Sequence, residues 1–362
     1  MARPILRRAV LSTVAVVAAA LAISAVAAAY RDLALGLAPG TSELQKGTPS
    51  CLPAVTGPLS GPVTVTRPGY SRAVGRLLIV NPFASGVDEH RLAAVQAALP
   101  AGTETHLTTA AGEATALAAE TGEVDALYVL GGDGTYNEVL NGVREDVPLG
   151  FLPGGGTSVL PRALGLPRDP VEAAQRVARG TTRKIGLGRV NGRRFGFSAG
   201  LGFDAELVRR VDDLGRRPDG RRPGDVTFMR VALGALRERA GRFDEQLEID
   251  GAGRAAFVLV ANCSPYTYAG AIGLDLVPGA SFEDGLAYFA PVSLRGRDLP
   301  RMLLHSARGG GLGDGKALAA ADLDRIVVRC DGPLPLQVDG EDAGDVLEAV
   351  YEAERDAVTV LV

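Results

Sequence analysis

The chain has few of the residues that staple small folds or bind transition metals: its 362 residues include three cysteines, three histidines and no tryptophan. The cysteines Cys51, Cys263 and Cys330 are too scattered for a disulfide framework, and no C-x-x-C or H-x-x-x-H pattern occurs. A zinc centre is therefore not indicated, whereas a hard cation held by carboxylates and carbonyls fits the composition. An excess of basic residues is also missing, because the formal net charge is −4. We therefore expect no nucleic-acid partner.

The N-terminus carries a long uncharged run. Arg3, Arg7 and Arg8 precede residues 9–30, which contain no charge and are rich in alanine. Such a run can span a bilayer, which takes about 20 apolar residues. Residues 1–30 are interpreted as a membrane anchor, with a cleaved signal or a mis-assigned start as the alternatives.

Four parts of the chain follow from the pattern of composition. After the hydrophobic segment, residues 31–75 are rich in Gly, Pro, Ser and Thr and are predicted to be a linker. Residues 76–184 alternate short apolar strands with helical patterns, which is typical of βαβ units in a parallel sheet. Residues 185–362 change rhythm and contain hairpin signals such as Asn191-Gly192 and Asp250-Gly251, which predict a mainly antiparallel second domain. Its predicted strands include residues 255–261, 326–329 and 334–338.

One motif points to phosphate. Residues 131–138 read Gly-Gly-Asp-Gly-Thr-Tyr-Asn-Glu and lie between an apolar strand and a helical pattern. Glycines permit tight turns, and a helix N-terminus attracts anions. Asp133 adds a carboxylate at this point, which suggests a metal ligand or a proton acceptor.

Two further turns follow predicted strands at the same sheet edge. Residues 81–86 read Asn-Pro-Phe-Ala-Ser-Gly, and residues 153–158 read Pro-Gly-Gly-Gly-Thr-Ser. Alone, the first is better explained as an ordinary turn, but three such turns together favour a nucleoside triphosphate. Neither the P-loop pattern nor G-x-G-x-x-G is present.

Carboxylates far downstream complete the set of candidates. Asp284 precedes a predicted strand, and Asp339 and Glu341 lie at a predicted hairpin. A type I′ turn explains an isolated Asp339-Gly340 best, whereas Glu341 is less expected on that ground alone. Phosphoryl transfer needs a group that accepts the hydroxyl proton and a cation that neutralises phosphate charge.

From residue 76 to the C-terminus, the ordered motifs resemble the diacylglycerol kinase catalytic-domain family, which is similar to sphingosine and ceramide kinases. The matching segments are residues 81–86, 131–142, 153–157, 162–167, 284–286 and 338–341. The Gly-Gly-Asp-Gly core alone is shared with the NAD kinases. The resemblance implies an α/β chain: a three-layer Rossmann-like parallel-sheet domain followed by a mainly antiparallel β-sandwich domain.

The resemblance also implies a lipid kinase that uses ATP and Mg²⁺ and phosphorylates a hydroxyl of diacylglycerol or a related lipid. Glu341 would be the proton acceptor, with Asp133 as a second catalytic candidate. The implied cation ligands are Ser281, Asp284 and Leu286. The implied nucleotide-binding residues are Asn81, Pro82, Ser85, Gly86, Thr108, Gly131, Gly132, Asp133, Gly134, Thr135, Asn137, Glu138, Gly155, Gly156 and Thr157. The chain departs from the family pattern at Gly156, where Ser or Thr is usual, and at Ser158, where Asn is usual.

Two rival functions stay open on the sequence: a kinase of a soluble substrate, like the NAD kinases, and a catalytically weak lipid-binding regulator. The expected partners are a diacylglycerol-like membrane lipid, an anionic membrane surface met by an arginine cluster at residues 209–222, and a second copy of the chain in a homodimer. A membrane-associated kinase domain facing the cytoplasm is expected, although arginines before an apolar span favour the opposite orientation.

Overall fold

The computed structural model describes residues 75–122, 124–144, 146–215, 225–269, 272–295 and 316–362. The predicted N-terminal segment at residues 1–30 and all but the last residue of the predicted linker lie outside the described residues. Among the helices in the described part of the chain, none combines the length and the apolar character needed to cross a membrane.

The secondary structure has eighteen strands and seven helices within the described ranges. The strands are β1 (Arg76–Val80), β2 (Glu104–Leu107), β3 (Ala126–Gly131), β4 (Leu149–Pro153), β5 (Thr182–Val190), β6 (Arg193–Phe195), β7 (Ser198–Leu201), β8 (Arg242–Phe243), β9 (Leu247–Ile249), β10 (Gly253–Ala255), β11 (Val258–Ala261), β12 (Thr267–Ala269), β13 (Ile272–Leu274), β14 (Leu286–Pro291), β15 (Leu294–Arg295), β16 (Ala317–Leu323), β17 (Arg325–Val338) and β18 (Glu341–Leu361). The helices are α1 (Glu89–Ala98), α2 (Glu113–Glu120), α3 (Asp133–Gly142), α4 (Val159–Ala163), α5 (Pro170–Val177), α6 (Phe203–Asp213) and α7 (Asp225–Glu238).

The N-terminal half is a parallel sheet with the strand order β2-β1-β3-β4. Every residue of β3 is buried, as expected for a strand covered on both faces. Helices α1 and α5 contact each other, and so do α2 and α3. Right-handed crossovers place these two pairs on opposite faces of the sheet, which gives three layers. The chain reverses direction across the sheet between β1 and β3, so a ligand is expected beyond the carboxyl ends of these two strands.

The C-terminal half continues the same sheet. Beyond β4 the order is β18-β17-β7-β11-β14-β16, and all these later pairings are antiparallel. Strand β18 is joined to β4 by a parallel pairing of Val360 with Leu149 and pairs along its length with β5. The predicted fold class, a parallel α/β part followed by a mainly antiparallel β-rich part, is confirmed.

Two details of the strand prediction are wrong. Residues 326–329 and 334–338, predicted as separate strands, belong to the single strand β17, because a register shift between Arg329 and Leu334 absorbs Gly332 and Pro333. Residues 255–261, predicted as one run, are divided between β10, which pairs with β9, and β11, which pairs with β7 and β14.

Candidate active site

Three turns meet at the carboxyl ends of β1, β3 and β4. The backbone N–H of Asn81 donates to the Leu130 carbonyl at 2.9 Å, which ties the first turn to the end of β3. The N–H of Gly86 donates to the Gly154 carbonyl at 2.8 Å, and the N–H of Gly154 donates to Gly131 at 2.7 Å. The predicted convergence of residues 81–86, 131–138 and 153–158 is therefore what the structure contains.

Most glycines of these turns are needed for contact between the turns. A Cβ on Gly155 would lie 2.8 Å from the Cα of Gly132, and one on Gly86 would lie 2.9 Å from the Gly154 carbonyl oxygen. A Cβ on Gly131 would meet the Thr135 side chain at 2.8 Å. Gly156 differs, because it is exposed and a Cβ there would have Ser85 Oγ, 3.9 Å away, as its nearest neighbour. A Cβ on Gly132 would also find only ordinary contact, 3.6 Å from the Cα of Gly155, and the nucleotide-binding role of these glycines stays a prediction.

Polar side chains of the first and second turns hold their own backbone. Asn81 Nδ2 donates to Thr135 Oγ1 at 3.0 Å, while Asn81 Oδ1 accepts from the Phe83 N–H at 2.9 Å. The Thr108 hydroxyl, at the end of β2, donates to the Val80 carbonyl at 3.3 Å. Pro82 is exposed, and Ser85 and Thr157 are half-buried at the same edge.

Helix α3 begins at the centre of these turns. Its N-cap is Gly132, whose lack of a side chain leaves the first turn without a side-chain cap. The uncapped N–H groups and the helix dipole favour an anion here. Asp133 directs Oδ1 to the backbone N–H of Val159 at 2.7 Å, and so caps the next helix, α4. The catalytic role predicted for Asp133 stays a prediction, beside this observed structural one.

Glu138, another predicted nucleotide-binding residue, also binds neighbouring backbone, and Ser158, a departure from the family pattern, has an unusual backbone conformation. Glu138 Oε2 accepts from the Ala114 N–H at 3.2 Å, which caps α2. Ser158 has a left-handed backbone with φ of 47°, a conformation that Asn adopts more readily than Ser. The Asn that the resemblance leads us to expect at this position would suit that geometry better.

Glu341 reaches this centre from the other half of the molecule. It is the first residue of β18, directly after the turn Asp339-Gly340, and its carboxylate lies against Gly134 in the first turn of α3. Its Oε2 accepts from Arg193 Nη2 at 2.9 Å, and its side chain is 42% exposed. A carboxylate open to solvent at a helix N-terminus can accept a proton from a bound hydroxyl.

Asp339 is a buried anchor beneath Glu341. Its Oδ1 accepts from the N–H groups of Phe197 and Ser198, at 3.0 and 3.1 Å. Its Oδ2 accepts from the Gly196 N–H at 2.7 Å and from Asn137 Nδ2 at 2.8 Å. Burial raises the pKa of Asp339, and these four donors oppose that shift. The turn Asp339-Gly340 has two positive φ angles, as a type I′ turn requires, so the turn interpretation is correct and yet incomplete.

Residues that the sequence argument missed surround this anchor. Arg193 contacts Glu341, and Gln337 supports the turn by accepting from the Gly340 N–H at 2.8 Å. Gln337 also donates to Asp204, whose carboxylate accepts from the Tyr266 hydroxyl at 2.7 Å. Burial raises the pKa of Asp204. The only available signal was the position of Arg193 directly after the Asn191-Gly192 hairpin, which carries no chemistry by itself.

The residues predicted for a cation lie on a different turn. Asp284 is exposed, and its N–H donates to the Ser281 carbonyl at 3.3 Å. The neighbouring Phe282 carbonyl accepts from Gly186 in β5 at 2.7 Å, and the Gly285 N–H donates to Asp322 at 2.9 Å. Within the described ranges, no group of three or more His, Cys, Asp and Glu side chains is placed to hold a metal ion.

The predicted arginine cluster is described only in part. Arg209 is paired with Asp342 and Asp345, and Arg210 with Glu206 and Glu238. The other four arginines of the cluster lie outside the described residues, namely Arg216, Arg217, Arg221 and Arg222.

Comparison with known proteins defines the class of the molecule as a kinase. The family model for the diacylglycerol kinase catalytic domain matches residues 76–190. A diacylglycerol kinase of Bacillus subtilis (strain 168) is 33% identical over 256 residues, which is 67% of this chain and 80% of that protein. A diacylglycerol kinase of Staphylococcus epidermidis is 42% identical over 76 residues, covering 20% of this chain and 24% of the relative.

A crystal structure of a diacylglycerol kinase from Bacillus anthracis str. Sterne has the same fold, with a TM-score of 0.57 at 22% identity, over 81% of this chain and 98% of that one. The chain belongs to the diacylglycerol kinase catalytic-domain family.

Proposed function

We propose that the protein transfers the γ-phosphate of ATP to the hydroxyl of diacylglycerol or a related lipid, with Glu341 as the general base. The observation that carries the proposal is the position of Glu341. Two distant parts of the chain place this carboxylate against Gly134, at the uncapped N-terminus of α3. A proton acceptor thus lies beside the strongest anion-binding feature of the three turns.

The three turns are proposed to hold the nucleotide. The N-terminus of α3 supplies backbone N–H groups and a favourable dipole for phosphate. Gly156 leaves open space beside Ser85, so both can border the ligand. Asn81 and Asp133 then act by fixing the turns, through Thr135 and the α4 backbone respectively. The match to curated kinases supports a nucleotide at this place.

Glu341 is proposed to take the proton of the acceptor hydroxyl as that oxygen bonds to phosphorus. A general base must lie within hydrogen-bond reach of the proton that it removes, and it contributes typically about 10²- to 10⁴-fold to the rate. The Glu341 side chain is 42% exposed, which leaves its carboxylate open to an acceptor hydroxyl from solvent.

A magnesium ion is proposed at Ser281, Asp284 and Leu286. One carboxylate and two backbone carbonyls are hard oxygen donors, which Mg²⁺ prefers, and so small a donor set suits a cation that keeps several water ligands. When bound, the ion would supply positive charge that neutralises phosphate oxygens. The chain's own contribution is the turn itself, held by the contacts of Phe282 and Gly285 to β5 and Asp322.

A membrane lipid as acceptor is supported by the names of the relatives, which include two diacylglycerol kinases. Contact with an anionic membrane surface and formation of a homodimer stay predictions. The substrate is best found by offering the purified protein labelled ATP with a panel of diacylglycerol, monoacylglycerol, sphingosine, ceramide and phosphatidylglycerol, and with NAD as a soluble acceptor. We expect label in the product of diacylglycerol or a close relative, and label only in a soluble acceptor would contradict the proposal.

Glu341→Gln tests the proposed base. The substitution keeps the size of the side chain and removes its basicity, so we expect turnover to fall by about 10²- to 10⁴-fold while the KM for ATP stays within about twofold. Glu352→Gln is the matched control, because Glu352 is an exposed residue of the same strand and should leave turnover unchanged. Wild-type turnover in Glu341→Gln would refute the role of Glu341 as the base.

A further inference from the structure

We infer that Arg193 is a positioning residue that fixes the Glu341 carboxylate for proton transfer, and that Asn137 and Asp339 hold Arg193 in place. The inference rests on the proposed function, because it concerns the same base. It differs from the family resemblance, which gives Arg193 no role and places Asn137 on the nucleotide.

The guanidinium of Arg193 has two neighbours on two different elements. Nε and Nη2 both donate to Asn137 Oδ1, at 3.0 and 2.7 Å, and Nη2 also donates to Glu341 Oε2 at 2.9 Å. Arg193 begins β6, Asn137 lies in α3 and Glu341 begins β18. The planar guanidinium therefore fixes the direction from which it meets Glu341, as a flexible lysine ammonium would not.

Asn137 is itself fixed. Its Nδ2 donates to Asp339 Oδ2 at 2.8 Å and to the Arg194 carbonyl at 2.9 Å. Both of these neighbours are acceptors, so the amide nitrogen must face them and the amide oxygen must face Arg193. Asn137 is buried, and Asp339 accepts hydrogen bonds from four donors. The Asn137 amide and the Asp339 carboxylate therefore have a single orientation that satisfies these hydrogen bonds.

As a consequence, the two carboxylate oxygens of Glu341 have different surroundings. Oε2 is bound by Arg193, while Oε1 lies over Gly134 at the start of α3. A partly exposed glutamate otherwise has several rotamers, and the contact with Arg193 favours the one observed. Holding a reacting group in place can matter by about 100-fold for a displacement of 1 Å.

A comparison within the chain separates this pair from an ordinary surface ion pair. Arg329 and Glu348 form an ion pair at 3.2 Å between β17 and β18, with side chains 57% and 50% exposed. That pair has no buried amide behind it, and exposed pairs contribute little. Arg193 is 36% exposed and is bound on its other side by the buried Asn137. The Arg329–Glu348 pair is therefore a suitable control.

The test compares Arg193→Gln, Arg193→Lys and the control Arg329→Gln in the full chain, with ATP and the best lipid of the panel. We expect Arg193→Gln to lower kcat by about 10- to 100-fold with little change in the KM for ATP. Arg193→Lys keeps the charge but not the planar fork, so it should fall between wild type and Arg193→Gln. Arg329→Gln should be unchanged.

A double-mutant cycle asks whether Arg193 acts through Glu341. Glu341→Asp keeps a carboxylate, shortened so that it no longer reaches Arg193, and we expect Arg193→Gln to cost at most about twofold in that background. An undiminished loss in that background would overturn the inference, because Arg193 would then act independently. A wild-type kcat for Arg193→Gln would also overturn it. If Glu341→Gln is as active as wild type, the proposed function fails instead, which the separate measurement of that variant shows.

Discussion

At the scale of single residues, the Glu341 carboxylate occupies the space that a side chain at position 134 would need. A Cβ on Gly134 would lie 3.0 Å from Glu341 Cδ and closer still to Oε1. The obstacle is the end of a flexible side chain, so an added methyl group would displace the carboxylate and leave the backbone in place. The position of the proposed base thus explains the glycine, although its motif predicts only a phosphate-binding turn.

Gly134→Ala should separate activity from stability. Alanine is the better residue inside a helix, by about 1 kcal/mol relative to glycine, so the free energy of unfolding should stay level or rise. The kcat should fall at least about tenfold, because Glu341 is moved from its place. Gly234→Ala in α7, where an added Cβ meets nothing within 4 Å, is the matched control and should leave kcat unchanged. Denaturant unfolding and steady-state kinetics measure both quantities, and an unaltered kcat in Gly134→Ala would contradict the explanation.

Residue roles were harder to predict than residue positions. The motifs identified the turns around Asn81, Gly131 and Gly155, since glycine and Asn-Pro patterns are local in sequence. The use of Asp133 as a cap for α4, and of Asp339 as an anchor for Gly196 to Ser198, depends on contacts between distant segments. Such contacts leave no periodic signal in the sequence. For this reason no sequence pattern indicated that Arg193 contacts Glu341.

At the scale of elements, the parallel strands and their helices could be predicted to within a few residues. Periodicity and caps specify them locally, as Asp88 does for α1 and Asp169 for α5. The long strands β17 and β18 could not be predicted as continuous strands, because glycine, proline and charged residues interrupt their apolar pattern. Their pairing with four other strands keeps them continuous in the structure.

Strand β18 is tied to helix α6 directly after Glu341. The Arg209 guanidinium donates twice to Asp342, at 2.8 and 2.9 Å, and once to Asp345 at 2.6 Å. These contacts hold the pKa of Asp342 below its ordinary value. The stability from a lowered carboxylate pKa is present above the ordinary value, about 4, and is lost as the pH falls through the folded-state value.

Arg209→Gln should therefore destabilise the protein in a pH-dependent manner. We expect a loss of about 1 kcal/mol at pH 7 that shrinks as the pH falls from about 4 through the lowered folded-state pKa of Asp342, and that approaches zero below that value, where Asp342 is protonated in both proteins. Arg144→Gln removes a more exposed pair with Asp146 at 3.5 Å and is expected to change stability by less than about 0.5 kcal/mol. Urea unfolding at several pH values gives the comparison, and a loss that is constant with pH would show that Arg209 acts by packing alone.

At the scale of the whole molecule, the two halves form one sheet rather than two separate bodies. Strand β5 extends from Thr182 to Val190 and pairs with β18, which in turn joins β4. The domain boundary near residue 184 stays a prediction. The spacing of the strands predicted that the first half is a parallel α/β structure and the second half mainly antiparallel. Their junction could not be predicted, because it depends on β18 pairing with β4, which lies far away in sequence.

Asp339 connects the halves at the point where the candidate base stands. Through one carboxylate it binds α3 of the parallel part, by way of Asn137, and the backbone between β6 and β7 of the antiparallel part. Asn has nearly the same shape as Asp and tolerates the left-handed φ of 49°, so Asp339→Asn changes the hydrogen bonding without straining the turn.

Asp339→Asn should weaken both stability and catalysis. One of the two acceptor oxygens becomes an NH₂ group that faces two donors, which leaves buried N–H groups unpaired and should cost about 3 kcal/mol in the free energy of unfolding. Release of Asn137 should also free Arg193 and lower kcat under conditions in which the variant is still folded. Asp356→Asn is the matched control: Asp356 is exposed, also in β18 and also at a positive φ of 50°, so it should change neither quantity. If Asp339→Asn unfolds at the wild-type denaturant midpoint, this carboxylate does not join the two halves; if it is less stable but keeps the wild-type kcat, the junction stabilises the fold without positioning the base.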